Sequence, residues 1–130
     1  LRVMVPETGL YTYPDVAVVC GKPSLSPDDS TTVTNPVLVV EVLSPSTEQY
    51  DRGPKFAHYQ KLPSLKEYLL VSQSERRIEH YRLLDDGRWI YTACSQGGIE
   101  SPMLGGTISL DDIYNRIEFS SDLANGQALG

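Results

Sequence analysis

The sequence predicts a mixed α/β domain: a β-sheet with one helix packed across it. Three observations predict it. Val37, Leu38, Val39, Val40, Val42 and Leu43 form an apolar run typical of a buried strand, with Glu41 inside it. Along and just past the stretch from Asp51 to Lys61, Phe56, Tyr59 and Leu62 recur at helical spacing. From Glu67 onward, strand-like runs alternate with turn residues.

Residues 1–5 (LRVMV) read as a short strand ended by Pro6, and residues 7–12 as a turn or hairpin arm around Gly9. Tyr13-Pro14 leads into a second buried strand over residues 16–20, which puts Asp15 at its start. Residues 21–34 are rich in Pro, Ser, Asp and Thr and read as a surface loop. Its length makes it a candidate cover for a site. In the run that follows, a period of two places Val37, Val39, Glu41 and Leu43 on one face. Leu38, Val40 and Val42 take the other.

Residues 44–50 form a turn. Asp51 then caps a helix running to about Lys61, with Pro54 tolerated in its first turn. Pro63-Ser64 ends that helix. Residues 67–72, 77–84 and 88–94 read as three more strands, the last two joined by an Asp85-Asp86-Gly87 turn. Residues 99–103 and 106–109 are short final strands, and residues 110–114 a helical turn. Residues 1–119 are expected to form one domain and residues 120–130 a flexible tail. The chain opens on Leu1 directly in a strand-like segment, so a further N-terminal portion is expected.

Composition narrows the function. With 130 residues, 40% of them hydrophobic, the chain can bury one core. No apolar run is long enough to span a membrane, and no signal-peptide pattern opens the chain. Two cysteines, Cys20 and Cys94, lie far apart without a Cys-x-x-Cys pattern. That fits a reducing cytoplasm better than a disulfide scaffold or a zinc site. A net charge of −6 argues against non-specific nucleic-acid binding through bulk charge.

Glu41 is the strongest chemical signal. A carboxylate in a dry strand is expensive unless it is paired, hydrogen-bonded or bound to a metal. If its strand pairs with the one that Asp15 begins, the two carboxylates converge. Their repulsion is then relieved by a cation or a shared proton. A hard divalent ion such as Mg²⁺ takes one or two carboxylates together with waters and substrate phosphate. It activates water and polarises a phosphoryl oxygen. Lys55, one turn into the following helix, is the nearest ammonium to stabilise charge there.

Each of these residues also has an ordinary reading. Asp15 can be a turn residue after Pro14, Glu41 a strand-edge partner of an Arg, and Lys55 a solvated i,i+4 partner of Asp51. Tyr59 reads as a core packer whose hydroxyl can face the site. Cys20 reads as a small buried apolar residue. His58 and His80 have no partner at metal spacing and read as surface or packing residues. Arg76, Arg77, Lys61 and Lys66 read as a solvated face or as phosphate contacts.

Tyr13-Pro14-Asp15-Val16, then Val39-Val40-Glu41-Val42-Leu43-Ser44-Pro45-Ser46-Thr47, resemble a known family. So do Asp51-Arg52-Gly53-Pro54-Lys55 with Tyr59, and Pro63-Ser64-Leu65-Lys66-Glu67-Tyr68. This is the Uma-type restriction endonuclease family of the PD-(D/E)XK nuclease superfamily. The resemblance is specific from about Tyr11 to Ser72 and looser beyond. It implies a restriction-endonuclease-like core hydrolysing DNA phosphodiester bonds with Mg²⁺ or Mn²⁺. Asp15 and Glu41 would be the metal-binding carboxylates, with the Val42 carbonyl beside them. The superfamily pattern wants Lys two residues after the second acid, where this chain has Leu43; Lys55 resembles the relocated lysine. A homodimer serving two DNA strands is the implied assembly. The alternative is a nuclease fold kept as a binding or assembly module without turnover. A nuclease acting on RNA or on particular structures would share the same site.

Overall fold

The computed structural model describes residues 2–26 and 29–115. Strand β1 (Arg2–Val5) folds back on β2 (Leu10–Thr12) through a turn in which Gly9 takes φ 74°. After β3 (Val16–Val18) come β4 (Leu25–Ser26) and β5 (Asp29–Val33). Strand β6 (Leu38–Leu43) leads into two short helices, α1 (Glu48–Arg52) and α2 (Pro54–Tyr59). Strands β7 (Glu67–Ser72), β8 (Ile78–Leu83) and β9 (Trp89–Cys94) follow. The described chain ends with β10 (Gly98–Ser101), β11 (Gly106–Ser109) and α3 (Leu110–Ile113).

Among the described residues these strands make three sheets. The main one has the order β3-β6-β7-β8-β9, a smaller one β2-β1-β5-β4, and β10-β11 is a separate hairpin. In the main sheet β6 and β7 run parallel, and every other neighbouring pair is antiparallel. The architecture is the mixed α/β sheet the sequence predicts. The parallel pair explains the apolar runs of β6 and β7, since both faces of these strands are covered.

Two cores lie on the two faces of this sheet. On one, Val39, Leu43, Tyr68 and Leu70 meet Phe56 and Tyr59 of α2, with Val3, Val5 and Val33 from the smaller sheet. Phe56 stacks on Tyr68 with ring centroids 4.8 Å apart and planes 4° apart. On the other face, Leu38, Leu69, Val71 and Ile78 pack against Ile99, Leu110 and Tyr114.

Several sequence expectations change. The 21–34 stretch is not one loop: it carries β4 and β5. Its Thr-Thr-Val run has good strand propensity, and β5 is fixed by parallel pairing with β1 (Arg2↔Thr32, Val3↔Val33), a long-range contact. The second strand is shorter than residues 16–20. Val16 is half exposed and Cys20 is exposed, because β3 is an edge strand. Val37 precedes β6 and packs against the core on the far face, with Leu38.

The single capped helix is in fact two. Pro54 cannot donate to a helical ladder, and Gly53 leaves the helical region at φ −115°, ψ −88°. Asp51 is not a cap. Helix α1 begins at Glu48, and the Asp51 amide donates to the Thr47 carbonyl at 2.9 Å, as an interior residue does. The 120–130 tail lies outside the described residues.

Candidate active site

The site forms where β3 stops pairing with β6. Val16 pairs with Val40, so Asp15, just before β3, reaches the stretch of β6 that holds Glu41 and Val42. Asp15 Oδ2 accepts the Val42 amide at 2.6 Å. The exposed Asp15 carboxylate thus extends the ladder by one bond at the strand end, and its other oxygen takes no hydrogen bond among the described residues.

Glu41 is 3% exposed on the face toward α2. Lys55 Nζ lies 2.6 Å from its Oε2, and the Tyr59 hydroxyl donates to the same oxygen at 3.0 Å. Tyr59 and Thr12 share a second hydroxyl–hydroxyl bond of 3.1 Å, which links the smaller sheet to the site. Leaving an ionised carboxylate dry costs several kcal/mol. An ammonium and a buried phenol on one oxygen are the kind of compensation that cost demands. Burial raises the Glu41 pKa above the usual carboxylate range. Lys55 and Tyr59 pull it down only partly, and the nearby Asp51 charge adds to the rise. Burial likewise pushes the Tyr59 phenol upward, and the Glu41 charge pushes it further, so it stays a donor.

The two-helix arrangement delivers these groups. Asp51, Lys55 and Tyr59 stand at i, i+4, i+8 across the α1–α2 junction. The Tyr68 hydroxyl pins that junction to β7 by donating to the Asp51 carbonyl at 2.8 Å. Lys55 comes 3.6 Å from Asp51 Oδ1, and the Asp51 side chain is 5% exposed. Asp51 does not cap the helix as the sequence suggests. The i,i+4,i+8 spacing was the signal that it belongs with Lys55 and Tyr59.

Among the described residues, no three His, Cys, Asp or Glu side chains come together as a ready-made metal cage. The donor set of Asp15 and Glu41 is all hard oxygen and suits Mg²⁺ or Mn²⁺, which are held by few carboxylates and complete their shells with water and phosphate. His58, Cys20 and Cys94 take no part. His80 is buried at another carboxylate: its Nε2 lies 2.7 Å from Glu67 Oε1. Ser101 Oγ donates to the same oxygen at 2.7 Å, and the Met103 amide donates to Oε2 at 2.7 Å. Sequence reading passed over Glu67, a second acid in a dry strand. Its donors tie β7 to β8 and to the β10–β11 hairpin. Arg76 pairs with Asp111, and Lys61 lies 3.7 Å from Glu7, so these cations have partners on the protein surface.

The chain is similar to other proteins in sequence and in fold. An uncharacterized protein of Synechocystis sp. strain PCC 6803, slr1290, is 42% identical over 125 residues, covering 92% of this chain and 62% of its own. Another from the same organism, sll1609, is 40% identical over 92 residues, covering 71% of this chain and 52% of its own. The chain therefore spans between half and two thirds of these relatives' length. A crystal structure described as "a putative nuclease belonging to DUF820", from Anabaena variabilis, shares the fold. Its TM-score is 0.66 at 16% identity, over 91% of this chain and 66% of that one. The Uma2 family model, described as "Putative restriction endonuclease", matches residues 1–110, and the chain belongs to that family.

Proposed function

We propose that the chain carries the catalytic core of a metal-dependent endonuclease that hydrolyses DNA phosphodiester bonds. The observation that supports it best is Glu41, buried in β6 and held at Oε2 by Lys55 and Tyr59, with Asp15 bonded to the amide of the next residue, Val42. Asp15 and Glu41 would hold Mg²⁺ or Mn²⁺. Such an ion supplies charge neutralisation of the phosphate and a lowered pKa for attacking water.

The chain's own residues do the positioning. Asp15 is oriented by the Val42 amide that its Oδ2 accepts. Tyr59 holds Glu41 in one orientation while its own ring stays buried. Lys55 presents an ammonium that can orient the nucleophile and offset charge building on the phosphate. Cleaving both strands of a duplex would call for two copies, one site per strand.

The test is a purified protein incubated with supercoiled plasmid and Mg²⁺ or Mn²⁺. Nicking or linearisation is expected, and Asp15→Ala, Glu41→Ala and Lys55→Ala should each abolish it. Cleavage that survives all three substitutions rules this site out.

A second reading is a nuclease fold that binds without turnover. It is favoured by Leu43 in place of the superfamily lysine and by the acidic balance of −6. Calorimetry separates the two. Mn²⁺ binding that disappears in Glu41→Gln supports the enzyme, and no binding at millimolar Mn²⁺ supports the module.

A further inference from the structure

The chemistry above leaves Asp51 without a task. Its side chain is 5% exposed, and Lys55, 3.6 Å away, is its charged partner. No hydrogen bond reaches its carboxylate oxygens among the described residues. No described side-chain polar atom is both shut from solvent and unbonded, so these oxygens keep a narrow opening to solvent. Asp51 does not join Asp15 and Glu41 in a three-carboxylate cage. Its backbone, by contrast, is anchored firmly: the Tyr68 hydroxyl bonds its carbonyl, and its amide bonds the Thr47 carbonyl.

The difficulty it answers lies at Glu41. Lys55 occupies Oε2 at 2.6 Å. A divalent cation on the same carboxylate would repel that ammonium, since like charges at such separations in a poorly solvated site interact strongly. Unless something else receives Lys55, binding the ion expels the lysine from the site. Asp51 lies one helical turn before Lys55, about an ångström farther from Nζ than Glu41 is. A small rotation of the lysine side chain exchanges one carboxylate for the other.

We propose that Asp51 is a positioning residue that takes over the Lys55 ammonium when Glu41 turns to a divalent cation, keeping the lysine within the site. This rests on the nuclease reading above, in particular on cation binding by Glu41. Glu41 and Asp51 are two carboxylates against the ammonium of Lys55, which leaves net negative charge there for a cation to balance.

The test is a double-mutant cycle read by Mn²⁺ calorimetry on wild type, Asp51→Asn, Lys55→Met and the double variant, each checked for its circular dichroism melt. If Asp51 acts through Lys55, Asp51→Asn weakens Mn²⁺ binding about tenfold when Lys55 is present, and by about twofold or less in the Lys55→Met background. In plasmid cleavage, Asp51→Asn should lower kcat tenfold or more with KM nearly unchanged. Asp51→Glu, which keeps the anion on a longer arm, should restore part of that loss and serves if Asp51→Asn misfolds. Equal Mn²⁺ losses in both backgrounds would mean Asp51 acts on the ion directly, and no loss in either would mean it has no such role; both overturn the proposal. A wild type that binds Mn²⁺ without cleaving sinks the nuclease reading alone, leaving the calorimetric cycle to judge Asp51. A wild type that binds no Mn²⁺ overturns both.

Discussion

Tyr59 donates its hydroxyl to Glu41 Oε2 at 3.0 Å while sharing a 3.1 Å bond with Thr12 on its other side. One phenol thus joins α2, the main sheet and the smaller sheet at the point where the candidate chemistry lies. Its ring is fully buried, so Tyr59→Phe keeps the packing and removes only the oxygen. Glu41 loses one of two donors and Thr12 loses its partner. We expect a destabilisation of about 1–2 kcal/mol, seen as a lower urea midpoint with an unchanged m value. Mn²⁺ binding should persist but weaken, because Glu41 is then held by Lys55 alone. An unchanged midpoint would show that the bond contributes nothing to folding.

Lys55 and Glu41 make a buried pair, with side chains 13% and 4% exposed. Removing one partner of such a pair strands a charge, whereas removing both replaces it with neutral packing. Lys55→Met should therefore cost about 3 kcal/mol, and adding Glu41→Gln to it should restore part of that loss. Thermal or urea melts of the two single variants and the double variant check this. Additive losses would show that the two side chains do not depend on each other.

Glu67 sets a contrast with Glu41. Both are buried acids in neighbouring parallel strands. Glu67 spends both oxygens on fixed donors: His80, Ser101 and the Met103 amide. In Glu67→Gln one oxygen becomes an NH₂ group, which either faces the Met103 amide or requires His80 and Ser101 to turn acceptor. A cost of about 2 kcal/mol is expected from the mismatched bonds, with no change in Mn²⁺ affinity. A change in Mn²⁺ affinity would extend the functional site to this cluster.

Much of the main sheet was legible because its signals are local. The bounds of β7 coincide with the apolar run from Glu67 to Ser72. The turn between β8 and β9 sits at Asp85-Asp86-Gly87, where Gly87 takes φ 90°. What could not be read depends on partners distant in the chain. Strand β5 exists through pairing with β1 and β4, and its polar composition hides it. The Gly53-Pro54 pair is visible in the sequence, but a first helical turn also tolerates proline, so the pair does not by itself announce a second helix. Of the site, the buried acid in an apolar run and the lysine in the next helix stood out. Asp51 and Glu67 did not, because an acid near a helix start or at the beginning of a strand looks ordinary until its burial is known.

Glu79 provides the pH prediction. Burial alone would raise its pKa. The Arg52 guanidinium bonded to Oε1, the Tyr91 hydroxyl at 2.6 Å and the charges of Arg52 and Arg77 outweigh burial and hold it below the usual carboxylate value. The Glu79 bond in turn raises the Arg52 pKa, so the guanidinium stays charged throughout. A carboxylate whose native pKa lies below its unfolded value binds fewer protons when folded. Its stabilising contribution is therefore complete above the unfolded value near 4.5 and is lost as pH falls through the lower native value. Glu79→Gln should be less stable than wild type at neutral pH, where it also leaves Arg52 with the exposed Glu48 as its one ionic partner among the described residues. The gap between the two proteins should narrow as pH drops below about 4.5. Urea midpoints at neutral pH and at successive acidic values make the comparison. A gap that stays constant across that window would mean the pair's charge contributes nothing and that Glu79 matters only for its shape.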